Sequence, residues 1–83
     1  MNLNALSTVY SPKESAEWLR LNLEKNEITS LEELAQSTGI DRGTLSRYFR
    51  QERRPSILVI APLCEVLKVS PKTLLIALGA LER

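Results

Sequence analysis

Five times along this chain a short polar residue stands just ahead of a run of helix-forming residues, and those five points constrain the fold. In Ser11-Pro12-Lys13-Glu14 the serine can accept from the free N–H groups of a helix start. Proline sits where its missing N–H costs nothing, and the glutamate three residues on can return the bond. Ser30-Leu31-Glu32-Glu33 repeats this box, Asp41 can cap a third helix, Pro55-Ser56 closes a loop and caps a fourth, and Ser70-Pro71 opens a fifth. The starts predict helices over residues 12–26, 31–38, 42–50, 57–68 and 71–81, joined by short loops. No segment alternates with period two, so no strand is expected. The prediction is an all-α, five-helix domain over residues 12–83, preceded by an arm over residues 1–11. Residues 1–10 carry Leu3, Leu6, Val9 and Tyr10 without a strong cap, and read as a frayed arm or a short helical extension. A domain of 83 residues buries roughly 60% of the surface its unfolded chain exposes, an adequate but marginal core.

Helical spacing predicts which faces turn inward. The first helix offers Ala16, Leu19 and Leu23, with Trp18 beside them, and the fourth offers Ile57, Ile60, Cys64 and Leu67. Pro62 lies too deep in the predicted fourth helix, because it would leave the carbonyl of Leu58 without a partner. A kink is expected there, or a helix that starts later. The last helix is apolar on nearly every side, with Leu74, Leu75, Ile76, Ala77, Leu78 and Leu81. It must bury more than one face, so Leu74, Leu75, Leu78 and Leu81 are the expected surface for a second copy, with Leu58, Val59 and Pro62 as further apolar candidates nearby.

Residues Leu31 to Arg50, LEELAQSTGIDRGTLSRYFR, read as two short helices joined by a tight turn, a helix-turn-helix. Leu34 and Ala35 share the inner face of the first, and the small Ala35 lets the second cross closely. Gly39 falls where the chain reverses, a position that needs positive φ. Ile40, Leu45 and Tyr48 supply the inner face of the second helix, leaving Arg42, Gly43, Thr44, Ser46 and Arg47 outward. Residues 42–54 hold five arginines against Glu52, a local charge of +4, while the other 70 residues carry six basic and nine acidic groups, or −3. Charge polarised in this way points to an anionic partner for one face.

Other chemistries are excluded by composition. With no histidine, neither a Cys/His zinc site nor a His-based catalytic triad can form. There is no glycine-rich phosphate loop and no metal-ligand cluster, so no enzyme, metal or cofactor is expected. Glu14, Glu17, Glu24 and Glu27 form a solvated helix face. Cys64, the single cysteine, reads as a small core residue rather than a reactive thiol. The start of the chain has no basic segment followed by a long apolar one, so it does not read as a signal peptide. The most apolar stretch, Thr73 to Leu81, is shorter than the roughly 20 residues a membrane span needs. A cytoplasmic protein is expected.

From Ile28 to Leu75 the chain resembles the DNA-binding domain of the Cro and phage-repressor group, the Xre family. The resemblance rests on SLEELAQSTGI, then DRGTLSRYFRQERRPS, then an apolar helix ending VLKVSPKTLL. It implies a lambda-repressor-like domain that binds specific sites on double-stranded DNA, usually as a two-fold dimer. It implies a recognition helix from about Asp41 to Arg50, with Arg42, Gly43, Thr44 and Arg47 at the base-reading positions. It also implies phosphate contacts from Ser30 and Leu31, and from Arg50, Arg53, Arg54 and Ser56 in the segment after the recognition helix. The chain departs from the family pattern at two places. An Arg–Glu pair that often links the first and third helices is replaced by Leu23 and Phe49. The following loop, usually glycine-bearing and of the type Arg-Gly-Lys, reads Arg50-Gln51-Glu52-Arg53-Arg54 and has no glycine.

The functional expectation is therefore a transcriptional regulator, with repression as its mode and a homodimer as its working form. The alternative is an antitoxin or accessory subunit whose main partner is a small protein.

Overall fold

The computed structural model describes residues 8–83, and the caps work much as the sequence implies. Helix α1 spans Pro12–Lys25, α2 Leu31–Thr38, α3 Arg42–Phe49, α4 Ile60–Leu67 and α5 Pro71–Ala77, with a single 3₁₀ turn at Ile57–Val59 ahead of α4. The α1 box is complete: Ser11 Oγ accepts from the Glu14 N–H, and Glu14 accepts from the Ser11 N–H. At α2 the box is half made. Ser30 Oγ accepts from the Glu33 N–H, but the Glu33 carboxylate takes its bonds one residue earlier, from the N–H and hydroxyl of Thr29. Thr29 offers two donors where Ser30 offers one. Ser70 caps α5 through the Thr73 N–H, and no side chain caps α4.

Pro62 is accommodated by the later start. It is the third residue of α4, where the N–H it lacks would have had no helical partner in any case. The 3₁₀ turn also moves side chains. Three residues per turn instead of 3.6 rotate Ile57 away from the core, so Ile57, expected in the core stripe, is 86% exposed and Leu58 beside it 82%. In the α1 stripe Leu19 and Leu23 turn inward as expected, but Ala16 is exposed and Ser15 beside it is buried.

The core is built from Leu19, Leu34, Leu45, Phe49, Leu63 and Leu74, with Ala35, Tyr48, Leu67, Ala77 and Leu78 around them. Burying each leucine contributes about 1.5–3 kcal/mol. Phe49 is paired with Trp18, the rings stacked at 6.1 Å and 8° from parallel, while Leu23 packs half-buried against the same core. Cys64 is also half-buried there, and burial pushes its thiol above the usual range.

Helix α5 corrects the expected surface for a second copy. Leu74 and Leu78 are 0% and 2% exposed, packed into their own domain, where no partner reaches them. The helix is seven residues long and lies against both α1 and α4, so its apolar faces are already covered. Leu75 is half-buried, and Leu81 lies beyond the helix end and is exposed. The far end of the segment expected as an arm, residues 8–11, is tied to the end of the chain. Residues 1–7 lie outside the described residues, but the carbonyl of Thr8 accepts from the Arg83 N–H, and Arg83 covers the Tyr10 ring and pairs with Glu14.

Four of the five helices close with the same bend. After α1, α3, α4 and α5 the chain passes through a left-handed residue, and the next N–H reaches back to a carbonyl five residues earlier: Ile28 to Leu23, Glu52 to Arg47, Val69 to Cys64 and Ala80 to Leu75. The left-handed residues are Glu27, Gln51, Lys68 and Gly79. A Cβ on Gly79 would lie 2.8 Å from Gln51 Cδ and 2.9 Å from the Tyr10 carbonyl oxygen, whereas one on Gly39, also left-handed, would meet nothing. Gly39→Ala is therefore expected to cost only the backbone penalty, about 1 kcal/mol. Gly79→Ala adds a steric term and should cost at least about twice as much. Urea unfolding of the two variants checks the order; equal losses would remove the steric term.

Candidate nucleic-acid interface

The reversal between α2 and α3 is set by backbone chemistry. Gly39 takes φ 74° and donates its N–H to the Ala35 carbonyl. Thr38 Oγ1 donates to the Leu34 carbonyl and accepts from the Ile40 N–H at 3.3 Å. Asp41 then accepts from the Thr44 N–H at 3.1 Å and starts α3. Ala35 and Leu45, both buried, lie where the two helices cross, and the small side chain of Ala35 permits that approach.

This packing brings the start of α2 alongside the outer face of α3. A groove of about 290 Å³ runs between them, lined by Leu31, Arg42, Gly43, Ser46, Arg47 and Arg50. Five of these were expected as contact residues from different parts of the sequence. Ser46 was noted only as outward-facing, without a role. Thr44 is not among the lining residues. It is half-buried, and its N–H is spent on the Asp41 cap. Gly43 has a local reason to be glycine: a Cβ there would come within 3.1 Å of the Asp41 carboxylate that caps the helix.

Arg53, Arg54 and Ser56 are exposed on the segment after α3. Arg53 and Arg54 wall a smaller cavity of about 110 Å³ together with Gln51, Pro55, Leu75 and Leu78. Sequence reasoning gave Gln51 no role, yet it takes the left-handed conformation, φ 59°. Its amide donates to the Tyr10 carbonyl and to Ser15 Oγ, each at 2.8 Å.

The electrostatics of this face are lopsided. Arg47, Arg53 and Arg54 make no ion pair among the described residues. Arg42 stands 3.9 Å from Glu32 and Arg50 3.2 Å from Glu52, pairs that are more than half exposed. Such pairs are worth 0 to about 1 kcal/mol and open readily. Glu33, in the first turn of α2, has its carboxyl held below the usual carboxylate range, first by the Thr29 hydroxyl and then by the Thr29 N–H.

A tight two-helix unit whose second helix presents arginines defines a DNA-binding helix-turn-helix domain. The chain belongs to the Xre/Cro-type helix-turn-helix family, whose model matches residues 19–74. That is a family of DNA-binding regulators rather than of enzymes. No match was found among curated proteins or among solved structures. Among the described residues no helix is long and apolar enough to cross a membrane.

The depressed carboxyls give a pH dependence with a definite sign. Glu33, Glu14 (held mainly by Arg83) and Glu17 (held mainly by Arg20) all titrate below their unfolded values. Their stabilisation is present above the unfolded value, near 4. It is lost as pH falls through the lower folded values. The melting temperature should be level from about pH 7 to 5 and fall below about pH 4. Part of that fall should be missing in Glu33→Gln. An identical acid profile in this variant would show that the Thr29–Glu33 contact does not shift the carboxyl.

Proposed function

We propose that this chain is a sequence-specific transcriptional regulator that lays α3 in the major groove of double-stranded DNA. The observation that carries this reading is the groove uniting Leu31, Arg42, Arg47 and Arg50, with Arg47 unpaired among the described residues. Arg42 and Arg47 are the base readers. Each can grip guanine O6 and N7 with two bonds, worth about 1–3 kcal/mol of discrimination. Arg42 first leaves Glu32, at little cost. Gly43 lets the helix approach closely, and Thr44 meets a thymine methyl at the edge of the site. The first N–H groups of α2, at Ser30 and Leu31, hold one phosphate with the help of the helix dipole. Arg50, Arg53, Arg54 and Ser56 hold the phosphates on the other side. Occupying a site in this way is enough to exclude another protein from it, and repression is the mode of action that needs nothing more.

A single recognition helix reads only a few base pairs, so the working form is a homodimer on half-sites roughly 34 Å apart. Its seam is the exposed pair Ile57 and Leu58, with Leu81, 41% exposed, as the part of the expected surface near the chain's end that remains accessible. The pair follows directly on the arginine-bearing segment, so a second copy packed there continues the same basic edge along the duplex. The domain is residues 12–83, and the protein works in the cytoplasm, where its DNA lies. No separate observation favours a small protein partner as its main ligand.

Selection of bound sites from random DNA tests the whole reading, because it returns the site, its symmetry and its spacing together; no enriched sequence would overturn it. Arg47→Ala should weaken binding to the selected site by about tenfold or more while changing binding to random DNA little. Equal losses would make Arg47 a phosphate contact. Arg54→Ala should weaken both and lower the slope of log K against log salt by about one. Sedimentation should show a dimer that Leu58→Glu converts to monomer; a parent chain that stays monomeric when bound to DNA would remove the seam.

A further inference from the structure

We propose that Gln51 is a positioning residue for DNA binding: tied to Tyr10 and Ser15, its side chain fixes the bend that aims Arg53 and Arg54 at the phosphates. The inference rests on the duplex-binding reading above and adds to it a residue that touches no DNA.

Three observations carry it. First, Gln51 is left-handed at φ 59°, a conformation an ordinary side chain resists. Here both hydrogens of the amide are engaged, on the Tyr10 carbonyl oxygen and Ser15 Oγ, at 2.8 Å each. Second, the slot that receives the amide is shaped for it. The neighbouring position is Gly79, and a Cβ there would intrude on both Gln51 Cδ and the Tyr10 carbonyl. Third, the bend is bonded directly to the recognition helix. The N–H of Glu52 donates to the carbonyl of Arg47 at 2.8 Å, and that of Gln51 to the carbonyl of Tyr48 at 3.1 Å. Arg53 and Arg54 share a cavity wall with Gln51, so where the amide sits decides where their stems run. A glycine at this position would permit many paths after α3. The anchored glutamine permits one.

The test uses the full chain and a short duplex of arbitrary sequence, because phosphate contacts do not depend on sequence. Gln51→Gly keeps the left-handed turn without strain and removes only the anchor. It should fold, and bind about fivefold or more weakly. Its slope of log K against log salt should be lower by about one, as phosphate contacts are lost from the ensemble. In an Arg53→Ala/Arg54→Ala background the same change should alter affinity less than about twofold, since Gln51 acts through those arginines. A merely structural role would lower affinity equally in both backgrounds and leave the slope unchanged, and would overturn the proposal. Unchanged affinity and slope in Gln51→Gly would overturn it too. So would failure of that variant to fold, which would make Gln51 a determinant of the core. If Arg53→Ala/Arg54→Ala alone leaves duplex binding intact, the phosphate assignment itself falls, an outcome distinct from failure of the Gln51 variant.

Discussion

The hydroxyl of Ser15 is where three otherwise separate parts of the molecule meet. It is fully buried, donates to the Ala77 carbonyl oxygen at 2.5 Å, and accepts from Gln51 Nε2 at 2.8 Å. A buried polar group left without a partner costs about 1–3 kcal/mol, so α1, the end of α5 and the segment after α3 keep their relative places together. One turn further along α1, Trp18 stacks on Phe49 of the recognition helix. At the helix end, Asn26 donates to the Leu67 carbonyl that closes α4. Helix α1 carries none of the candidate contact residues, yet it sets the position of those that do. It is a strut with a polar tie at each end and an aromatic contact between.

Helix starts were legible in the sequence because serine, aspartate and proline announce them by side-chain chemistry. Helix ends were much less so. Glycine marks the end of α2 at Gly39 and the bend after α5 at Gly79, but Glu27, Gln51 and Lys68 do the same work elsewhere. Each accepts a backbone penalty of about 1–2 kcal/mol, offset by the long return bond of the residue after it. Nothing in a glutamate, a glutamine or a lysine signals that role in the sequence. The loop that lacks the family glycine is the clearest instance. There Gln51 takes the left-handed turn itself, and its side chain is anchored on Tyr10 and Ser15.

The candidate site was legible where its residues share one helix and obscure where they depend on neighbours. Arg42, Gly43 and Arg47 follow from the α3 period alone, and the structure does bring them beside Leu31 and Arg50. Ile57 was misplaced because its spacing was read at 3.6 residues per turn, and a 3₁₀ turn has three. Leu74 and Leu78 were misassigned for a different reason. The sequence shows that α5 is apolar all round, but the number of neighbours it meets within its own domain comes from tertiary packing. Ser15 and Gln51 gave no sequence signal, since a serine and a glutamine among polar residues look solvent-facing until their partners, 62 and 36 residues away, are known.

The charge pattern also changes meaning once placed on the fold. Glu32 and Glu33 sit in the first turn of α2, where they suit the positive end of the helix dipole. An approaching phosphate would oppose them there. Glu33 is turned back onto Thr29, and Glu32 stands near Arg42, so each acid is engaged by a neighbour and neither is left as an uncompensated negative charge beside the groove. Arg42 and Arg50 are loosely held by single acids, and Arg47, Arg53 and Arg54 face solvent. The acids thus stabilise a helix start and keep two arginines ordered at little cost. A net charge of +1 and a strongly cationic edge are compatible because Glu14, Glu17 and Glu24 lie on α1 and Glu65 on α4, away from the groove lining, while Glu32 and Glu52 pair loosely with its arginines.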